Sequence, residues 1–280
     1  MKTLDDKVVV ITGAGSGIGR ALSLELARRG ALLALSDVDT VGLAETVAQA
    51  ERSGARKVRS DTVDVADRGA MQRYALDVVE DFGRVNVVIN NAGVALSGDF
   101  DDLAYDDIDW IIGVNFWGVV HGTKEFLPHI IDSGDGHVVN LSSLFGLVSM
   151  PSQSMYNASK YAVRGMTEAL REEMLIAGHR VGVTAVHPGG IKTAIARNSR
   201  VSAKESKDAT ANFFDQKLAK MTPERAAEII VAGILKNKAR VLVGIDAHAL
   251  HTMGKVLGSR YQDVVAMGAK RMLPDKAAIV

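Results

Sequence analysis

Tyr156 and Lys160 stand four residues apart in Tyr156-Asn157-Ala158-Ser159-Lys160, a spacing that puts both side chains on one helical face. A free tyrosine is a poor base near neutral pH, with a reference pKa of about 10. An ammonium beside it favours the phenolate and lowers that value. A tyrosine so placed can take the proton of an alcohol as hydride leaves, or return it to a carbonyl oxygen. Taken alone, the pair reads better as a core tyrosine with a lysine reaching past it. A second segment could bind phosphate: Thr12-Gly13-Ala14-Gly15-Ser16-Gly17-Ile18-Gly19 joins a Val/Ile run to an amphipathic stretch. Gly13 allows a tight turn, Gly17 lets the backbone approach a pyrophosphate, and Gly19 allows close helix–sheet packing. The helix N-terminus that follows offers unpaired N–H groups to phosphate. Asp37 follows the turn by about twenty residues, where a carboxylate accepts hydrogen bonds from the adenosine ribose and repels the extra phosphate of NADP. No Arg or Lys occupies position 16 or flanks Asp37, so NAD is expected and NADP disfavoured.

The elements that must position these residues alternate in type. Short apolar runs at 8–11, 32–36, 58–63, 85–89, 136–141, 181–186 and 239–244 read as strands. Helical spacing fills 19–29, 41–53, 70–82, 106–131, 156–176 and 223–237. Seven strands alternating with helices predict one doubly wound, Rossmann-type α/β domain over 1–249, with a mainly parallel sheet. Two segments break the rhythm. Residues 194–222 are polar, contain Phe213-Phe214, and are too long for a plain connection, which suggests a lid. Residues 250–280 follow the last strand, and 250–273 have helical spacing, an added C-terminal helical extension of the same domain.

With the order of these motifs in hand, the sequence resembles the classical short-chain dehydrogenase/reductase (SDR) family. Thr12–Gly19 matches its glycine motif, Asn90-Asn91-Ala92-Gly93 its post-strand motif, and Tyr156–Lys160 its active-site pentad. Ser143 precedes Tyr156 by thirteen residues, the family spacing, and Pro188-Gly189 with Thr193 matches the segment beside the nicotinamide. The match runs from about residue 6 to 245. The resemblance implies that Tyr156 is the general acid/base and that Lys160 lowers its pKa and holds the nicotinamide ribose. It implies that Ser143 hydrogen-bonds the substrate oxygen, with Ser142 the competing choice. Asn115 would hold a water for proton relay; from its position alone it reads as a helix residue bonded to backbone. Gly13, Ser16, Gly17, Ile18, Gly19 and Asp37 would bind the cofactor, with Asp64, Val65 and Asn91 on its adenosine side. Ile191 and Thr193 would bind the carboxamide.

The expected activity is hydride transfer between NAD(H) and a secondary alcohol, ketone or aldehyde. Val94, Leu96, Phe145, Leu147, Val148, Met150 and Met155 are expected near the cleft and suggest a medium or large apolar substrate. An NADPH-dependent reductase is the nearest alternative, and a non-catalytic nucleotide-sensing scaffold a more distant one that needs none of the Ser143, Tyr156 and Lys160 set. Composition narrows the field. The 280-residue chain has 33 Lys and Arg against 33 Asp and Glu, a balance that argues against broad nucleic-acid binding. It contains no cysteine, which excludes disulfides and thiolate sites and fits a reducing compartment. No signal-peptide pattern or membrane-length apolar run occurs, so a cytoplasmic enzyme is expected. His248 and His251 are spaced by three but lack a carboxylate–His cluster, so no metal site is expected. His187, before Pro188, reads as structural, and no Gly-x-Ser-x-Gly elbow supports a hydrolase. About thirty residues follow the last strand, which puts the family's common tetramer in doubt. A homodimer through the helices at 106–131 and 156–176 is expected, with the tail covering the sheet edge or lining the substrate mouth.

Overall fold

The structure is a computed structural model that describes residues 1–272. Its centre is a seven-stranded sheet in the order β3-β2-β1-β4-β6-β7-β9. These strands are β1 (Val8–Thr12), β2 (Leu32–Asp37), β3 (Val58–Thr62), β4 (Val87–Asn90), β6 (Gly136–Leu141), β7 (Val181–Pro188) and β9 (Arg240–Val243). Every pairing is parallel. Alternation along β1 shows how the layers form: Val9 and Ile11 enter one apolar cluster, Val8 and Val10 the other, as a period of two requires. The first cluster packs under α1 (Gly17–Arg28), α2 (Thr40–Arg52) and α8 (Pro223–Leu235), through Leu22, Leu26, Leu43, Ile230 and Val231. The second packs under α3 (Arg68–Phe82), α5 (Gly118–Asp132) and α6 (Ser154–Ile176), through Met71, Val78, Phe126, Ile130, Leu170 and Met174. The chain changes face between β1 and β4, which opens a crevice at the strands' carboxyl ends. In doubly wound sheets ligands bind there.

The helix expected over 106–131 is two helices, α4 (Tyr105–Ile112) and α5, joined by a π-helical turn at Gly113–Trp117. The turn carries one more residue per repeat and turns Asn115 inward; such turns recur at functional sites. The expected lid is also structured. It contributes β8 (Arg200–Val201), which pairs in parallel with β5 (Leu96–Ser97), then α7 (Lys207–Phe213) and a π turn at Phe214–Leu218. The Arg200 guanidinium stacks 4.1 Å from the Trp110 ring centre, and Ser97 donates to Glu205 at 2.7 Å. The tail is two helices, not one. α9 (Ile245–Leu257) and α10 (Tyr261–Met272) are separated at Gly258, whose φ of +55° favours glycine. The expected tail residues 273–280 lie outside the described residues. Among the described residues no helix is long and apolar enough to cross a membrane.

Candidate active site

The crevice is built from loops that leave β1, β4, β6 and β7. After β1 the chain turns at Gly13, with φ +66°, and Gly17, with φ +52°. A Cβ on Gly13 would lie 2.7 Å from Ala92 Cα, and one on Gly19 2.0 Å from the Gly13 oxygen. Side chains there would collide with the backbone of the turn and of the segment after β4, so both positions require glycine for this close packing. Ser16 is the N-cap residue of α1, exposed, with no capping bond from its hydroxyl; Ile18 is partly buried behind it. Asn91 closes the turn from β4 by donating to the Thr12 and Gly13 carbonyls at 3.0 and 2.9 Å. Asp37 at the end of β2 accepts from Gly15 N–H at 2.7 Å and from Asp39 N–H at 3.0 Å. A carboxylate has lone pairs beyond those two bonds, so it can still receive hydroxyl donors. Thr193 faces the turn, its methyl 3.0 Å from where a Gly17 Cβ would be.

Not every expected cofactor residue offers a free side chain. Asp64 is exposed and accepts from Ala66 N–H at 2.9 Å. The Val65 side chain is buried against Gly118 and its carbonyl meets His121 Nδ1 at 3.0 Å. Ile191 is buried in the core and forms a bridge with Met221. Arg20, not among the expected site residues, follows the turn and donates to Gly15 O at 2.5 Å, Gly42 O at 3.1 Å and Glu45 at 2.9 Å. Its charge is thus already paired with Glu45. The only advance signal was a cation next to the glycine motif.

Ser143, Tyr156, Lys160 and Asn115 come together across β4, β6, the π turn and α6. Lys160 is buried, and its Nζ donates to Leu141 O at 3.2 Å. Burial pulls its ammonium down to about 8, because desolvation disfavours the charged form. A Cβ on Gly93 would lie 3.3 Å from both Lys160 Nζ and Asn115 Oδ1, so that glycine is the gap through which the two side chains approach. Asn115 is fully buried, accepts from Val94 N–H at 2.8 Å, and donates to Val94 O at 2.9 Å and Ser159 Oγ at 3.3 Å. Tyr156 lies in the first turn of α6, partly exposed, with Lys160 Nζ 5.7 Å from its ring centre. Its phenol is pushed up by burial, and interaction with the Ser143 hydroxyl opposes that rise. Desolvation sets the net direction here, and no lowering by Lys160 enters at that separation. The two serines differ in their hydrogen bonds. Ser142 Oγ donates to Lys160 O at 2.8 Å, whereas Ser143 Oγ accepts from Phe145 N–H at 3.1 Å and keeps its proton to donate.

The support around this cluster was only partly expected. His187 is fully buried, and its Nδ1 meets Ser143 O at 2.8 Å; burial pulls its imidazole down to about 4, so the neutral ring donates to that carbonyl. A buried chain of amides and hydroxyls ties α6 to the sheet. Asn90 donates to Asn140 at 2.8 Å and Thr123 at 3.0 Å, and Asn140 donates to Thr167 at 3.0 Å. Scattered polar residues inside strand and helix patterns were the only sequence sign of it. The expected apolar wall is narrower than the seven residues named: Leu96, Leu147 and Val148 are buried in packing. Val94, Phe145, Met150 and Met155 remain partly exposed.

The arrangement can hold a dinucleotide and move a proton beside it, and comparison with known proteins agrees with that class. The family described as short chain dehydrogenase matches residues 7–204. The chain belongs to the short-chain dehydrogenase/reductase family and is an oxidoreductase of that family. Among its relatives is SadH of Mycobacterium tuberculosis, named as an oxidoreductase, 57% identical over 274 residues that cover 98% of this chain and 99% of the relative. A solved family member from Burkholderia phymatum, in complex with NAD, superposes with a TM-score of 0.83 at 32% identity, covering 95% of this chain and 97% of that one. An alcohol dehydrogenase from Thermococcus sibiricus, complexed with 5-hydroxy-NADP, gives a TM-score of 0.71 at 26% identity, over 86% and 95% of the two chains.

Proposed function

We propose that this protein is an NAD(H)-dependent dehydrogenase or reductase that interconverts a secondary alcohol with its ketone, or an alcohol with its aldehyde, on an apolar substrate of medium or large size. The observation that carries this reading is the convergence of a buried Lys160, a buried Asn115, Ser143 and Tyr156 at the carboxyl end of the sheet, beside a glycine cradle. The bare turn at Gly13, Ser16, Gly17, Ile18 and Gly19 would hold the pyrophosphate. Asp37 would hold the adenosine ribose, with Asp64, Val65 and Asn91 near the adenosine side and Ile191 and Thr193 near the carboxamide. When bound, the nicotinamide supplies or accepts the hydride.

The residues of the chain do the rest. Tyr156 gives its phenolic proton to the carbonyl oxygen in reduction and takes it back in oxidation. Ser143 donates a hydrogen bond to the same oxygen and stabilises the charge that develops on it. Lys160 spends one N–H on Leu141 O and has two further donors for the nicotinamide ribose. Its charge favours the phenolate as Tyr156 loses its proton. Asn115 fixes the Val94 backbone and Ser159 behind Lys160, and would anchor a water for proton relay. Val94, Phe145, Met150 and Met155 would receive the apolar part of the substrate. The preference for NAD rests on Asp37 and on Arg20 being paired with Glu45.

The test is a panel of aliphatic and aryl ketones and alcohols followed by nicotinamide absorbance, with NAD(H) and NADP(H) in parallel. Activity with NADH on apolar ketones is expected. Tyr156→Phe should lower kcat by about 10²–10⁴-fold while NADH binding, read by fluorescence, is retained. Tighter NADPH binding would overturn the cofactor assignment, and undiminished turnover in Tyr156→Phe would overturn the mechanism.

A further inference from the structure

The C-terminal helices touch the loop that joins Ser143 to Tyr156. Tyr261, the first residue of α10, is buried, and its ring joins Leu144, Val148 and Ala247 in one apolar cluster with Phe145, Leu250 and Met253 around it. Its hydroxyl accepts a hydrogen bond from Ser149 N–H at 2.9 Å. The hydroxyls of Ser149 and of Tyr161, five residues beyond Tyr156 on α6, interact with the same oxygen. α9 reaches the loop too: a Cβ on Gly254 would lie 3.1 Å from Val148 Cγ1. The loop is short of order of its own, with one 3-10 turn at Leu144–Gly146. Its Phe145 ring meets Tyr156 edge-on, centres 6.1 Å apart. One phenol from the tail therefore grips, from behind, the segment that carries Ser143 at one end and holds Phe145 against Tyr156.

We propose that Tyr261 is a positioning residue that fixes the Leu144–Met150 wall and so sets the size of the apolar group accepted beside Tyr156. Its effect on turnover rests on the oxidoreductase reading above; the grip itself does not. Deleting the hydroxyl frees Ser149 N–H and lets the wall shift. Such a shift loosens the fit of a large substituent and leaves the proton transfer at Tyr156 nearly intact. The effect therefore falls on KM for bulky ketones more than on kcat.

Tyr261→Phe in the full chain keeps the ring and removes only the hydroxyl. Amide exchange in a peptide spanning residues 144–152 should quicken about tenfold, with the central strands unchanged, because a part-buried hydrogen bond is lost locally. KM for a bulky aryl ketone should rise about five- to tenfold with kcat held within about twofold, while KM for a small ketone hardly moves. Tyr161→Phe leaves the Tyr261–Ser149 bond in place and should move both readouts less, in the same direction; it carries the test if Tyr261→Phe does not fold. Unchanged exchange in the loop, or an equal fall in kcat for small and bulky ketones, overturns the proposal. If the unmodified chain turns over no ketone or alcohol, the oxidoreductase reading fails, and loop exchange in Tyr261→Phe alone decides whether the grip exists.

Discussion

Lys160 shows what a residue's surroundings add to its type. The spacing to Tyr156 is plain in the sequence, yet the depth of the lysine is not, because burial depends on β6, the π turn and Gly93 meeting around it. Burial holds its folded pKa at about 8, below the ordinary 10.5. Between those values the unfolded chain binds more protons than the folded one, so stability rises with pH across that window. Below about pH 8 both states are charged and the folded state bears the full cost of burial. Lys160→Met, similar in volume and uncharged, removes this dependence. Urea unfolding from pH 7 to 10 should show the wild type gaining about 2 kcal/mol or slightly more relative to Lys160→Met; parallel curves would mean that the lysine is solvated. Spacing favours Ser143 over Ser142, and their bonds differ: Ser142 Oγ donates to the Lys160 carbonyl, whereas Ser143 Oγ accepts from Phe145 N–H. At Tyr156 desolvation, which spacing alone does not reveal, sets the net direction.

Among the elements, those with strong periodicity were legible: all seven strands and the helices that cover them fall close to the expected ranges. The failures lie where local pattern does not encode geometry. A π turn leaves the apolar spacing of residues 106–131 looking like one helix, and the pairing of β5 with β8 joins residues more than a hundred apart, Leu96 with Arg200. Sequence placed the lid as an excursion and missed that Arg200, Glu205 and β8 tie it down. The glycine turn is the element whose requirement can be tested most directly. A methyl on Gly19 would meet a backbone oxygen, Gly13 O, at 2.0 Å, so either the turn or α1 must move. Gly19→Ala should weaken NADH binding by at least about tenfold and lower stability by about 1–3 kcal/mol. Fluorescence titration and thermal unfolding check the two effects, and wild-type affinity in this variant would show that the cradle is not where the pyrophosphate lies.

For the whole molecule, the question is how copies of the chain meet. β9 is the last strand of the sheet, with β7 on one side only. Around a cleft of about 740 Å³ beside it, Arg171, Lys236, Lys238, Arg240 and Lys255 face Glu168 and Glu172. Two copies brought together edge to edge at β9 would set these excess cations against each other, and lysine-rich edges are a known guard against such pairing. The other candidate face is the outer side of α4, α5 and α6. There Trp117 is half exposed, and Gly165 is exposed with nothing within 4 Å of a Cβ built on it. We therefore expect a dimer through α5 and α6 and no tetramer through β9. Light scattering at low salt should give twice the chain mass. Gly165→Arg adds bulk that a lone chain accommodates freely but a partner cannot, so it should yield monomer while helix propensity favours the fold by roughly 0.5–1 kcal/mol. A wild-type tetramer would show that the charged edge is neutralised in assembly, and a dimer that survives Gly165→Arg would move the interface elsewhere.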